Sequence, residues 1–376
     1  MAINNSIALI TKANDMLDEV YKKASVTAIL DTPNDMVKFI GAKTAKMPKL
    51  SLDGLADYSR NGGYVDGNAT LTYEEQTLDY DRGRKFVVDI MDDEETLGVA
   101  YGRLAGEFER TKVVPEADAY RFSKYYTGAA NKVEADLTSS TALEAIDTAM
   151  ETLENAEVDL NSVVLFVNPT IYKYIKNDDA FSRRFDVQSG NPTLNRNFIT
   201  LDEIPVIRVP QGRFYTAINL LDGSSQGEEA GGFEVDATGK AINFMFVDRN
   251  AVLQILKRHV TQIISPEANN NSDGYIVKKR VYQGAGVYEN KTAGVYVHSV
   301  LTNVVFTVTD GTDPIVGAKV TVNGEELTTD ASGVASIKLA TGDYDYTVTA
   351  NTYTTIADEV SVAGTTTAEA VTMVLA

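Results

Sequence analysis

At 376 residues, 44% hydrophobic and 23% charged, the chain reads as a soluble globular protein of two or three domains with ample core. Its formal net charge of −19 argues against a protein whose main task is gripping phosphate backbones and reads first as solubility and resistance to aggregation, while leaving open a container whose inner wall must not stick. The chain has no cysteine, no long apolar run and no basic-then-apolar leader in Met1–Ser25, so disulfides, thiolate chemistry, a membrane span and a secretory signal are not expected.

Residues 1–50 read as an arm. A helical stretch around Ile10 to Lys23 precedes a strand over Val26 to Leu30 and a turn at Thr32-Pro33-Asn34-Asp35. Residues 51–90 hold a loop-rich tip, Asp57 to Asn68, and then two strands, Thr70 to Tyr80 and Arg84 to Ile90. Their alternation of polar and apolar residues predicts a half-exposed, two-stranded ribbon. Such a ribbon is not stable alone and must lean on the rest of the fold or on a neighbour.

Leu97, Tyr101, Leu104 and Phe108 form one apolar stripe at helical spacing. Asp92 to Glu95 load the N-terminal end of that helix, and Arg110 and Lys112 the other, as the helix dipole favours. Pro115 lacks an amide hydrogen and disfavours a helical Val114, which predicts that one helix stops there and another begins. Gly128 ends the second helix. Together the two would span roughly 45 Å at 1.5 Å per residue.

From Thr141 the texture is α/β. Thr141 and Glu144 fit a capping box, followed by Leu143, Ile146, Met150 and Leu153 on one face. Val163 to Val167 reads as a strand buried on both faces, and Asn168-Pro169 as the start of a helix through Ile175. Ile204 to Val209 and Ile242 to Val247 are further strands, with Gln211 to Gly232 as loop between them. Residues 253–298 return to strand texture, broken at Glu267 to Asp273.

Beyond Leu301 helix signals vanish. Val304 to Thr309, Ala318 to Val322, Val334 to Leu339, Tyr344 to Ala350 and Ala370 to Leu375 are short strands separated by turn residues such as Asn323-Gly324 and Ser332-Gly333. That spacing predicts a small all-β sandwich, with a boundary between Ser299 and Asn303.

Chemistry is scarce. His259 and His298 are the two histidines, and each reads as a packed or surface residue rather than a ligand. Gly284-Ala285-Gly286 lacks the third glycine of a dinucleotide fingerprint and reads as a bend. Glu228-Glu229 reads as loop charge, and Asp310 to Asp313 and Asp330 as turn formers. Lys43, Lys46 and Lys49, Arg183-Arg184, and Lys278-Lys279-Arg280 are candidates for contacts with acidic surfaces of sister subunits, or else solvated charge. No catalytic, cofactor-binding or metal-binding residue is assigned, and the chain is not expected to be an enzyme.

Four stretches stand out in their order: Val113-Val114-Pro115-Glu116-Ala117-Asp118-Ala119-Tyr120-Arg121-Phe122, Val167-Asn168-Pro169-Thr170-Ile171-Tyr172, Ile204-Pro205-Val206-Ile207-Arg208-Val209-Pro210, and Gly294-Val295-Tyr296-Val297-His298. Over residues 1–300 they resemble the major capsid protein of tailed double-stranded DNA bacteriophages, the Hong Kong 97-type fold. The resemblance implies an α+β fold with an N-terminal arm (1–50), an extended loop over a neighbouring subunit (51–90), a peripheral domain with a spine helix (91–134 and 251–300) and an axial domain (135–250). It implies pentamers and hexamers that close an icosahedral shell around double-stranded DNA without reading its sequence. It further implies a virion location after assembly in the bacterial cytoplasm, with a separate scaffolding protein and a portal as partners.

Val316-Gly317-Ala318-Lys319-Val320, Thr329-Asp330-Ala331-Ser332-Gly333 and Gly342-Asp343-Tyr344 resemble a bacterial immunoglobulin-like or carboxypeptidase-regulatory-like module. Residues 301–376 are thus expected to form an outward decoration with weak glycan contact. Two other readings stand beside the phage shell: an encapsulin-type nanocompartment, and a carbohydrate-active enzyme or adhesin with an accessory β-module.

Overall fold

The computed structural model describes residues 25–31, 38–40, 43–90, 99–177, 200–269 and 273–376. The helix expected over Ile10 to Lys23, the turn at Thr32 to Asp35, the acidic run Asp92 to Glu95, Leu97 and Arg183-Arg184 lie outside the described residues, as does the side chain of Tyr101. In chain order, strands β1 (Lys38–Ile40), β2 (Thr44–Leu52), β3 (Ala69–Thr77) and β4 (Tyr80–Asp89) precede helix α1 (Val99–Phe108), a π-helical turn (Glu109–Val113) and helix α2 (Val114–Gly128). Next come β5 (Asn131–Glu134), α3 (Ala142–Asn155), β6 (Val163–Val167), α4 (Pro169–Asn177), β7 (Thr200–Leu201) and β8 (Ile204–Arg208). Strands β9 (Ile218–Leu221), β10 (Gly232–Val235), β11 (Ile242–Asp248), β12 (Val252–Ile264), β13 (Gly274–Val287) and β14 (Val295–Ser299) follow. The C-terminal module adds β15 (Thr302–Thr309), β16 (Lys319–Val322), β17 (Glu325–Thr328), β18 (Val334–Leu339), β19 (Gly342–Thr349), β20 (Ile356–Val362) and β21 (Thr366–Thr372).

The chain divides into two compact units, residues 1–128 with 249–292, and residues 129–248 with 293–376. In the first, β12, β13 and β4 form an antiparallel sheet with β13 in the centre, and α2 lies against β13. The ribbon is β2 paired with β3, from Thr44↔Thr77 to Leu52↔Ala69, with the short β1 added to the other edge of β2 at its base, from Ile40↔Thr44 to Lys38↔Lys46. This corrects the pairing expected from sequence. The strand over Arg84 to Ile90 is not the ribbon's second arm; as part of β4 it pairs with β13, Gly274↔Asp89 to Gln283↔Tyr80. The reason lies in Leu78 and Tyr80, both 2% exposed, which bury the chain between β3 and β4 and leave no room for a hairpin turn to solvent.

Val26 to Leu30 is not a strand either. Ala28–Leu30 is a short 3-10 turn, because Thr27 is held by a carboxylate of α2 and curls the chain around it. At Pro115 the helix does not stop. Val114 keeps helical angles (φ −65°, ψ −48°) and its N–H reaches back to the Glu109 carbonyl, five residues earlier. A proline ring crowds the carbonyl four residues before it. Widening one turn to π spacing moves that carbonyl aside without ending the helix. Phe108 then sets its ring edge-on to Phe86 of β4, centroids 4.8 Å apart.

The second unit holds a six-stranded mixed sheet, in order β5-β14-β11-β6-β8-β7, so residues 293–300 fold here rather than with the spine. Every residue of β6 and β11 is buried, as a continuous apolar run demands when both faces are covered. Ile146, Ala149 and Leu153 of α3 and Ile171 and Ile175 of α4 cover one face. Asn168 caps α4 by accepting the Thr170 N–H at 2.8 Å. Part of the expected loop Gln211 to Gly232 is structured: β9 and β10 pair as a hairpin, because Ile218-Asn219-Leu220-Leu221 holds enough apolar residues for a strand.

The C-terminal module is a two-sheet sandwich, β18-β15-β21 against β17-β16-β19-β20. Val304, Phe306, Val320, Val348 and Val360 fill its core. Strands β17 and β20 were not expected, since Glu325-Glu326 and Asp358-Glu359 mask their alternation. The last strand begins at Thr366 rather than Ala370, paired parallel to β15.

The capping box expected at Thr141 and Glu144 does not form, because the Thr141 side chain accepts no N–H from the first turn of α3 and its hydroxyl turns back instead. Thr138 donates its backbone N–H to Thr141 Oγ1 at 3.0 Å, and its carbonyl accepts from Ala142. Thr141→Ala is therefore expected to destabilise the protein by about 1 kcal/mol, and Glu144→Ala by under about 0.5 kcal/mol, in urea unfolding.

Candidate functional site

The described residues contain no group of three or more His, Cys, Asp or Glu arranged to hold a metal ion. What they contain instead is a buried polar framework around the spine and an uncovered apolar face on the ribbon.

The framework begins with Asp118 on α2, 0% exposed. Its carboxylate accepts from Ser25 Oγ at 2.7 Å, Thr27 Oγ1 at 2.6 Å and the backbone N–H groups of Val26 and Thr27. Arg121, one turn on and 1% exposed, donates to Thr27 Oγ1 and to Gln283 of β13, each at 2.8 Å. Tyr125 donates to Gln254 of β12 at 2.7 Å, and Gln254 in turn donates to the Thr27 carbonyl and to Asp31. Positions 118, 121 and 125 lie on one helical stripe, so a polar seam along α2 locks residues 25–31 to the sheet.

A second buried cluster sits at the π turn. Glu109, 1% exposed, meets Lys279 Nζ at 2.7 Å and His259 Nε2 at 2.9 Å, and Lys279 also donates to Thr261. Nearer the middle of α2, Glu116 accepts from Tyr80 at 3.0 Å and Arg82 at 2.8 Å. Tyr120 and Lys124 both donate to Asp79. Burial, and then the Asp79 carboxylate, push the Tyr120 hydroxyl well above the usual phenol range. Asp79 itself is lowered: burial raises it, but the bonds from Lys124 and Tyr120 outweigh that.

These contacts revise several sequence expectations. Of the basic residues set aside for sister subunits, Lys279 is buried against Glu109, Lys46 pairs with Glu75, Lys49 with Glu289 and Arg280 with Asp81. A cation bonded to its own chain is poorly placed to seek another, so this set is chiefly internal. Gly284-Ala285-Gly286 is strand, not a bend. A Cβ on Gly284 would stand 3.2 Å from the Leu78 side chain, so glycine lets the ribbon's neck press onto β13. The acidic turns hold as turns: Asp310 accepts from the N–H groups of Thr312 and Asp313, and Asp330 from Ser332 and Val334. Glu228 and Glu229 accept from loop N–H groups. His298, 2% exposed, stacks on Phe244 and meets the Asn243 side chain at 3.1 Å; burial lowers its pKa to about 4.

Residues facing each other across the ribbon share a face. One face carries Ala45 and Met47, buried against Leu253, Ile255 and Tyr282. The other carries the pairs Pro48↔Tyr73 and Leu50↔Leu71, followed by Leu52. Leu50, Leu52, Leu71 and Tyr73 are 55–65% exposed. At the tip Leu55, Tyr58, Tyr64 and Val65 are exposed as well, with the two tyrosine rings 4.9 Å apart. Composition alone hid this face, because Lys46, Glu74 and Glu75 make the segment read as polar.

No protein-family model and no curated protein matches the chain. Among solved structures it is similar to one from Mycobacterium phage Che8, with a TM-score of 0.52 and 14% identity over 73% of this chain and 90% of the other. It is also similar to the capsid structure of cyanophage P-SCSP1u, with a TM-score of 0.51 and 10% identity over 74% and 88%. At these identities the likeness is one of fold: the chain has the mixed α+β fold found in a phage capsid.

Asp118→Ala is expected to destabilise the protein by about 3–5 kcal/mol, since it leaves Arg121 buried without its neighbouring carboxylate and orphans four donors. Exposed Asp345→Ala is expected to shift stability by less than about 0.5 kcal/mol in the same urea titration. His298 makes a separate prediction about acid. The unfolded imidazole takes up a proton near pH 6.5 and the folded one only near pH 4. Its contribution is therefore full above about 6.5 and is lost as the pH falls between those values, by about 3 kcal/mol in all. The pH dependence of wild type minus that of His298→Gln isolates this loss.

Proposed function

We propose that the chain is a structural shell subunit, a tailed-phage major capsid protein of the Hong Kong 97 type, whose function resides in contacts between copies. The observation that carries this reading is the one-faced apolar ribbon on a chain with a phage capsid fold. A contiguous apolar surface of this kind marks a protein contact site, and a ribbon with one face spent on its own unit offers the other to a neighbour. Closed point-group symmetry then favours rings, here pentamers and hexamers that close into an icosahedral head.

In this reading the enclosed double-stranded DNA is contained rather than gripped, in keeping with the net charge of −19. The domain roles follow the resemblance, with bounds that follow the two compact units: arm (1–50), extended loop (51–90), peripheral domain with spine (91–128 and 249–292) and axial domain (129–248 with 293–300). The sandwich of residues 301–376 acts as an immunoglobulin-like decoration facing outward, with weak glycan contact as its task. A separate scaffolding protein and a portal complete the partners, and the chain resides in the virion after assembly in the bacterial cytoplasm.

Negative-stain electron microscopy of the purified protein tests the reading. Shells, or free pentamers and hexamers, are the expected result; a uniform monomer at all concentrations overturns it. The double substitution Leu50→Asp with Leu71→Asp is expected to abolish assembly while leaving the unfolding midpoint within a few degrees of wild type, because both side chains face solvent.

A further inference from the structure

The C-terminal sandwich joins the α/β sheet through only Val300 and Leu301, between the end of β14 and the start of β15. Even this connection is held, since the Val300 N–H donates to the Ala241 carbonyl at 3.1 Å. Three contacts surround it. Lys240, 2% exposed, places its ammonium 2.8 Å from Glu134 Oε2 and 2.7 Å from Thr341 Oγ1. Thr341, which belongs to the sandwich, gives its backbone N–H to Glu134 Oε2 at 2.6 Å and its hydroxyl to Oε1 at 2.9 Å. Lys338 of β18 pairs with Asp136. In the turn before β21, Gly364 has φ +70°, and a Cβ there would overlap the Ala237 carbonyl, so two backbones touch. Thr302 fastens the same turn to β15 by donating to the Gly364 carbonyl at 2.6 Å.

We infer that the sandwich is seated rigidly on the edge of the α/β sheet, as a fixed strut rather than a bead on a tether. The argument turns on Lys240 and Glu134. Both lie at the seat, and the sandwich supplies hydrogen bonds that complete their pairing. A buried ammonium is tolerated only when paired and bonded, so swinging the sandwich away strips both partners of Thr341 and exposes a charge pair built to be enclosed. Burial raises the Glu134 carboxyl, but the bonds from Lys240 and Thr341 hold it below its ordinary value, as a seat of ionised groups requires. Lys338–Asp136 and the Gly364–Ala237 approach add points of support that a flexible linker would not need.

The strut has a consequence for contact with other molecules. Strand β15 runs from the seat for eight residues, about 26 Å at 3.3 Å per residue, towards the loops that follow Thr309. A ligand taken at that far end would load β14 and β11 directly. Repeated copies would also hold their binding faces at fixed spacing, which strengthens multivalent contact when the spacing matches. The seat itself does not depend on what the chain assembles into.

The absence of native cysteine makes a direct test simple. Glu151→Cys on α3 and Thr349→Cys on β19 accept spin labels at exposed sites, and double electron–electron resonance reads the distance between them in full-length protein diluted with unlabelled chain. One narrow distance distribution is expected in this background. Adding Lys240→Met with Thr341→Val, or separately Gly364→Val, is expected to broaden it at least twofold while the sandwich still unfolds cooperatively. A broad distribution in the starting background overturns the inference, whatever the variants do. So does an unchanged width in both seat variants.

Discussion

A carboxylate with no exposure to water organises the first unit. Asp118 sits on a helix that could have presented an apolar residue there, and an unpaired ion at such a place would be strongly destabilising. It is tolerated because four donors from Ser25, Val26 and Thr27 surround it and the Arg121 guanidinium lies one turn away. Residues 25–31 are therefore not an arm resting on a finished domain. Removing them would leave an anion and a cation buried together without their hydrogen bonds, so the segment and the spine are stable only as a pair. Gln254 and Gln283 extend the same dependence to β12 and β13. Glu109 repeats the device at the π turn, where Lys279 and His259 hold the widened helix to the sheet.

Much of this architecture was legible because hydrophobic periodicity is a local signal. Val163 to Val167 reads as a doubly covered strand and is one; Asn168-Pro169 starts a helix; Gly128 ends one; and the change of texture near residue 300 marks the sandwich. The misses have nonlocal causes. Leu78 and Tyr80 look like ordinary ribbon residues, and only their burial against distant strands decides that β4 leaves the ribbon. Val26 to Leu30 has strand-forming residues, but a carboxylate 91 positions away curls it. Pro115 disfavours an α-helix, yet a π turn satisfies the same steric demand without a break. The polar seam was half visible: Asp118, Arg121 and Tyr125 share a stripe at helical spacing, but their partners Thr27, Gln254 and Gln283 lie far away in sequence.

The ribbon, two-stranded beyond the short β1 at its base, inverts the usual rule for such an element. Its neck is anchored by Ala45 and Met47, with glycines in β13 permitting the close approach, while its outer face keeps Leu50, Leu52, Leu71 and Tyr73 in water. Charges interleave with these side chains: Lys46 with Glu75 on the same face, Lys49 and Glu74 on the other. Interleaving of this kind lowers the chance of indiscriminate edge-to-edge pairing while leaving the apolar face available to a surface of the right shape.

Charge and apolar area thus have separate tasks in this chain. Buried charges at Asp118, Glu109 and Lys240 each tie separate segments together, and there their strict geometry specifies one arrangement of segments more than it adds net stability. Apolar side chains left in solvent are concentrated on the ribbon, where burial against another surface would contribute about 25 cal/mol for each Å² removed from water and demands little angular precision. A subunit organised this way keeps its own shape fixed while its contacts accommodate small changes in tilt. If copies pack in more than one setting, as the proposed shell requires, that combination keeps the shape constant while the angle between neighbours changes.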